Sequence, residues 1–221
     1  NRYLELYDYI EEDNEKFEIA SYESTTRKAK LEQYLQRKDH LIETGTVKQK
    51  ERRLHDLEEK FSLLYIPSLN EFNIEQAGRF HDKNMMVFHD EIPMEGLINS
   101  AGQNYIFDVG KLIGNQIFIS EDDHQRDFNI HLDFAKTYEN VINITIPPGY
   151  NVEGIEALEY NVDNAAGSFI SNVAIEGNDL IITTQQVYKN NFEPKENWPL
   201  MIDFINAANE FSQTKLVLKK E

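Results

Sequence analysis

Two hydrophobic periods divide the chain. Up to about residue 66, apolar side chains recur at helical spacing. In TTRKAKLEQYLQRKDHLIETG, Leu31, Tyr34, Leu35 and Ile42 fall on one face. Gly45 then offers a C-terminal stop, because it adopts a left-handed backbone without penalty. Thr46, with Gln49 three residues on, makes a capping-box pattern. Val47, Leu54, Leu57, Phe61 and Leu64 form a second stripe. Two helices with almost no linker are expected to fold back as an antiparallel hairpin. The first 24 residues are ambiguous: Tyr3, Leu4, Tyr7 and Ile10 suit a helix, whereas Phe17 and Ile19 can begin a strand.

Beyond Pro67 the period changes to two. DFNIHLDF sets Phe128, Ile130, Leu132 and Phe134 against Asn129, His131 and Asp133, the alternation of a half-buried strand. NVINITIPPGY places Ile142, Ile144 and Ile146 inward and ends at Pro147-Pro148-Gly149. In GSFISNVAIEGNDLIITTQQVY, Gly177-Asn178 separates two alternating runs, a tight-hairpin signal. NYIFDVGKLIG and MMVFHDEIP supply earlier strands. Short strands with few helices between them argue antiparallel pairing and a sandwich.

The chain closes differently. Asn197 or a nearby residue can cap a helix that tolerates Pro199 only in its first turn. Trp198, Met201, Ile202, Ile205 and Ala208 make one stripe, and Leu200, Phe204, Ala207 and Phe211 an adjoining one. A helix apolar over so much of its circumference must be covered by protein. It is expected to cross over one open end of the sandwich, with Trp198 as a core plug. A last strand, Thr214 to Lys220, points Leu216 and Leu218 inward and Lys215 and Lys219 outward; such lysines guard a sheet edge. The expected fold is therefore α+β: a helical hairpin over 1–66, then an antiparallel immunoglobulin-like β-sandwich over 67–221 with one late crossover helix and a final strand.

Charge sharpens the boundary. Residues 1–66 carry a net −3 and residues 67–221 a net −14, for a total of −17. Nucleic-acid backbones and anionic membranes are poor partners for such a chain. No apolar run approaches the roughly 20 residues of a membrane helix, so no membrane insertion is expected. Cysteine is absent, which removes disulfides, thiolate metal sites and Cys nucleophiles. The chain starts at Asn1 in mid-pattern and shows no targeting segment, which points to a piece of something longer.

Candidate chemistry is sparse. No G-x-S-x-G occurs, and Gly167-Ser168 sits at a strand start. His81-Asp82 and His89-Asp90-Glu91 flank KNMMVF, so a hairpin there can bring imidazoles and carboxylates together as zinc ligands. Glu121, Asp122, Asp123 and Asp127 in EDDHQRD supply hard oxygens of the kind calcium takes, although the Gly and terminal Glu of an EF-hand loop are missing. Solvated loops are the competing reading of both clusters. Phosphate cradles and dinucleotide fingerprints are absent, so no cofactor is expected.

Three stretches carry a resemblance: EGLINSAGQNYIFDVGKLIG (95–114), ITIPPGYNVEGIEAL (144–158) and VYKNNFEPKENWPLMIDFINAANEFSQTKLVLKK (187–220). Together they resemble the C-terminal region of bacterial transglutaminase-like proteins of the cell envelope, in which an uncharacterised β-domain follows the transglutaminase-like fold. That fold normally uses a Cys-His-Asp triad, and with no Cys here its nucleophile does not carry over. The resemblance implies a trailing, non-catalytic region, extracytoplasmic, whose partner is the rest of its own parent or another protein. A carbohydrate- or peptide-binding module is the alternative. It predicts a row of exposed aromatics among Tyr105, Tyr138, Tyr150, Tyr160 and Tyr188. A metal-dependent hydrolase built on the 81–91 cluster is a third reading.

Overall fold

The computed structural model describes residues 28–76 and 85–221. The ambiguous segment 1–24, and His81 and Asp82 of the candidate metal cluster, lie outside the described residues. The chain divides into two compact units. One takes in residues up to Glu59 together with Ile66–Met94; the other comprises Lys60–Tyr65 and Glu95–Glu221.

In the first unit, helix α1 (Lys28–Lys60) runs unbroken for 33 residues. It replaces the expected hairpin: Gly45 and Thr46 lie inside the helix. A glycine in a helix interior costs only about 1 kcal/mol relative to alanine. Its immediate neighbours are Thr44 and Thr46, but Leu41 and Glu43 before it and Lys48, Gln49 and Lys50 after it are good helix formers, with no proline to force a stop. The stripe also ends earlier than its pattern. Val47 is exposed, Leu57 is buried, and Phe61 and Leu64 fall in the turn beyond the helix. Strands β1 (Glu71–Gln76) and β2 (Val87–Glu91) pair antiparallel. Arg53 ties helix to hairpin. Its Nη2 and Nε lie 2.5 and 2.8 Å from Asp90 Oδ2, and its guanidinium sits 4.3 Å from the centre of the Phe88 ring. A flat, weakly hydrated cation suits both contacts at once.

The second unit is a mixed α+β body built mostly of antiparallel sheet. Strands β3 (Ile98–Ala101) and β4 (Asn104–Phe107) form a hairpin, followed by a 3-10 turn over Val109–Ile113. Then come β5 (Ile130–His131), β6 (Lys136–Thr145), β7 (Tyr150–Glu153), β8 (Tyr160–Asp163), β9 (Gly167–Glu176), β10 (Asp179–Tyr188) and β11 (Phe192–Glu193). Helix α2 (Trp198–Ser212) and β12 (Leu216–Lys220) close the chain. One four-stranded sheet has the order β6-β10-β9-β8 and a second β3-β4-β12-β7; β5 and β11 form a two-stranded ribbon.

The first of these sheets follows its sequence pattern closely. Gly177 takes φ +63° in the two-residue turn, and β9 and β10 pair over ten residues without a slip. Leu180 and Ile182 are buried, and Ile142 and Ile144 pack beside them. The DFNIHLDF strand shrinks to Ile130–His131. Phe128 is 80% exposed and Phe134 64%, because the ribbon partner β11 is only two residues long and no ladder holds the ends in the pleat. The last strand is not an edge: β12 inserts between β4 and β7, so its lysines flank a central strand.

Helix α2 is a structural part of the core rather than a cover at its end. Trp198, Met201, Ile202, Phe204, Ile205, Ala207, Ala208 and Phe211 join one buried cluster with Phe169, Leu180 and Ile182 of one large sheet and Phe107 and Leu216 of the other. Gly167 explains how closely the helix approaches: a Cβ there would lie 2.5 Å from the Phe204 ring. Phe204 stacks edge-on to Tyr188 at 5.1 Å, and Phe211 to Phe169 at 5.6 Å. Edge-to-face pairs of this kind add about 1 kcal/mol beyond the area they bury.

Candidate functional site

The C-terminal end of α2 opens into a cleft of about 530 Å³ within the second unit. Phe61, Ser62, Leu63 and Leu64 form one wall; Asp108, Lys111 and Gly114–Gln116 form another; Asn209, Ser212, Gln213 and Lys215 form the third. The walls are pinned to each other. Asn115 donates its backbone N–H to the Lys60 carbonyl at 2.8 Å and its Nδ2 to Ser62 Oγ at 2.6 Å. Gly110 donates to the Thr214 carbonyl at 3.1 Å. No side chain fits at Gly110, because a Cβ would lie 2.1 Å from the Phe211 carbonyl oxygen.

Asp108 is buried on this cleft. Lys111 Nζ lies 2.8 Å from one carboxylate oxygen and Lys215 Nζ 3.0 Å from the other. Burial pushes the Asp108 pKa up, but the hydrogen bonds and charges of the two lysines outweigh it and hold the carboxyl below its ordinary value. Two ammonium groups around one carboxylate leave a local excess of positive charge in a chain of net −17. Both lysines also stand at the negative end of the α2 dipole, where cations are favoured. Amides and hydroxyls lining the remaining surface both donate and accept, as a peptide backbone requires.

A strap leads away from the cleft along the helix. Asn209 Nδ2 donates to the Gln116 carbonyl at 3.3 Å. The Asn206 amide accepts from Ile119 N–H at 2.9 Å and donates to Ile119 C=O at 3.1 Å, as a neighbouring strand would. The Trp198 indole N–H donates to the Asp123 carbonyl at 2.8 Å, and the Arg126 guanidinium lies 4.5 Å from the Trp198 ring centre. With its backbone held inward, the strap turns Ile117 and Phe118 out to solvent, 65% and 64% exposed. Leu63 on the opposite wall is 71% exposed. Leu63 lines the cleft, and Ile117 and Phe118 directly follow its lining residue Gln116.

At the other end of α2, Glu193 is buried with both oxygens occupied. Asn190 Nδ2 donates to one and Asn197 Nδ2 to the other, each at 2.7 Å. This clamp fixes the turn that leads into the helix, and Asn197 reaches back to Glu193 instead of capping the helix with its own side chain.

The candidate ligands of the sequence are spread apart. His89 and Glu91 point to one face of β2 and Asp90 to the other, where Arg53 holds it. Glu121, Asp122 and Asp123 form an exposed 3-10 turn, with Ser120 Oγ donating to the Asp123 carboxylate at 2.7 Å; Asp127 follows, also exposed. Among the described residues no three His, Asp or Glu side chains gather in a group able to hold a metal ion. The five tyrosines do not form one row. Tyr105 and Tyr150 lie together at 5.6 Å on the β3-β4-β12-β7 sheet, whereas Tyr138, Tyr160 and Tyr188 belong to the other. No described helix is long and apolar enough to cross a membrane.

Asp108, Lys111, Asn206 and Asn209 escaped the sequence reading, and Lys215 entered it only as an outward lysine guarding a sheet edge. Asn206, Asn209 and Gln213 carried a signal: polar residues three and four apart on an otherwise apolar helix. Asp108, between Phe107 and Val109, is a charge inside an apolar run; Lys111, three residues on, was a local signal, whereas nothing local foretells Lys215. A family model described as a domain of unknown function (DUF3858) matches residues 105–218, more than half of the chain. No curated protein and no solved structure matches it.

Proposed function

The chain belongs to the DUF3858 family, and from that premise we propose that it is a non-catalytic interaction module that docks a polypeptide segment in the cleft at the end of α2. The observation that carries this reading is the outward display of Leu63, Ile117 and Phe118 beside a cleft whose walls are cross-pinned by Asn115 and Asn209. Apolar anchors beside amide groups and a local positive charge suit an extended segment carrying apolar and acidic side chains. The resemblance to the trailing region of transglutaminase-like envelope proteins supports a specific partner, the neighbouring domain of the same parent. Two of the stretches that carry it, 95–114 and 187–220, contain most of the cleft-lining residues. On this reading the module orients or tethers the catalytic-type domain outside the cytoplasm.

Amide hydrogen exchange tests it. The chain is compared alone and within its full-length parent. Slower exchange at 61–65 and 115–118 in the parent is expected. Unchanged exchange at both segments overturns the reading. A carbohydrate-binding module is favoured by one observation, the Tyr105–Tyr150 pair with Tyr105 37% exposed on the inner strand β4. Quenching of tyrosine fluorescence by oligosaccharides, lost in Tyr105→Ala, would support that alternative.

A further inference from the structure

We propose that strand β6 is a pairing edge for β6 of a second copy of this chain, joining two four-stranded sheets into one of eight strands. The proposal goes beyond cleft docking and uses a different surface.

Among the described residues β6 pairs with β10 alone. It forms one outer edge of its sheet and runs ten residues without a bulge, whereas β8 at the other edge runs four. Natural edges are blunted by proline, bulges, shortness or charge. Between Thr137 and Thr145 there is no proline, and Glu139 is the one charged residue. Val141 stands 69% exposed in the middle of the strand. A long, straight and nearly uncharged edge is the template another strand pairs with.

The residues favour a two-fold mate over an unrelated strand. Antiparallel pairing centred on Val141 sets Val141 against its own copy, Glu139 against Asn143, and Thr137 against Thr145 on one face. On the other face Tyr138 meets Ile144 and Asn140 meets Ile142. Because paired residues lie on the same side of the sheet, the face carrying Ile142 and Ile144 stays continuous across the axis. No like charges oppose each other, and the exposed valines cover one another. A closed, isologous dimer results, with both β6 edges consumed.

Sedimentation equilibrium of the chain at moderate salt tests this. A concentration-dependent dimer is expected. Val141→Lys or Val141→Glu, at a site already in solvent, leaves the fold intact by circular dichroism but sets two like charges across the axis. Each variant is expected to raise the dissociation constant by roughly tenfold or more. An equimolar mixture of the two variants restores dimerisation, because Lys then faces Glu. A chain that stays monomeric, or a dimer that neither variant weakens, overturns the proposal. Exchange at the cleft is unaffected by either variant, so the failure of this inference and that of cleft docking are read separately.

Discussion

The two ends of helix α2 each bury a carboxylate, and they satisfy it in opposite ways. At the N-terminal end Glu193 takes two hydrogen bonds from asparagine amides. At the C-terminal end Asp108 takes two ammonium groups, Lys111 and Lys215, whose side chains are 26% and 58% exposed. Amides on a tight turn have nowhere better to go, so Glu193 works as an internal fastener. Lysines have long stems and can retreat to water, so the contacts at the Asp108 end can be exchanged without unfolding the helix. A buried polar cluster that is closed on itself fixes structure, whereas one bordered by a cleft can respond to a ligand.

The largest expected effect comes from the backbone at the cleft end. Gly110→Ala forces a Cβ into the Phe211 carbonyl and should cost about 3 kcal/mol, read as a lowered urea midpoint. It separates Asp108 from Lys215 without touching either charge. Glu193→Ala comes next, at about 2–3 kcal/mol, because two hydrogen bonds to a charged acceptor vanish. Glu193→Gln keeps the volume yet turns an amide donor toward an asparagine donor, and should cost nearly as much. Asp108→Asn should cost about 1 kcal/mol, since exposed lysines reclaim water. If Asp108→Asn proves costlier than Glu193→Gln in denaturant titrations, the contrast between the two ends is wrong.

Acid sharpens the same contrast. The Asp108 pKa is lowered by folding. Its contribution is therefore complete above the ordinary carboxylate value of about 3.8 and is lost as pH falls through the lower folded value. Asp108→Asn should flatten that part of the acid limb of the stability curve. The smallest effect lies at the alkaline end. Burial, with Tyr138 nearby, pushes Tyr188 up to about 12. The stability tied to its neutral form is whole below about 10 and fades as pH rises toward 12. Tyr188→Phe should remove that fade, followed by tyrosinate absorbance and circular dichroism together.

The local parts of this fold were legible because their causes are local. Gly177-Asn178 dictates its hairpin, and the alternation of Ile142 and Ile144 orients β6. The periodic apolar stripes of α2 demand burial, and Trp198 is indeed buried. Where the cause is distant, the pattern misleads. Phe128 and Phe134 alternate faultlessly but lack a partner strand long enough to hold them. Lys215 and Lys219 mimic an edge strand, while β12 sits between β4 and β7, more than 50 residues away in sequence. Gly45 resembles a stop, yet one glycine cannot outweigh the helix formers on either side. The cleft was least legible, since Asp108 and Lys215 meet only after the whole sheet and helix have closed.

The most direct measurement is amide exchange at 61–65 and 115–118, with the chain alone and as part of the longer protein proposed above. The account predicts protection at both segments in the parent, reduced when Leu63→Asp places a charge on the cleft wall. Identical exchange in the two contexts, with or without that substitution, would contradict the docking role of the cleft.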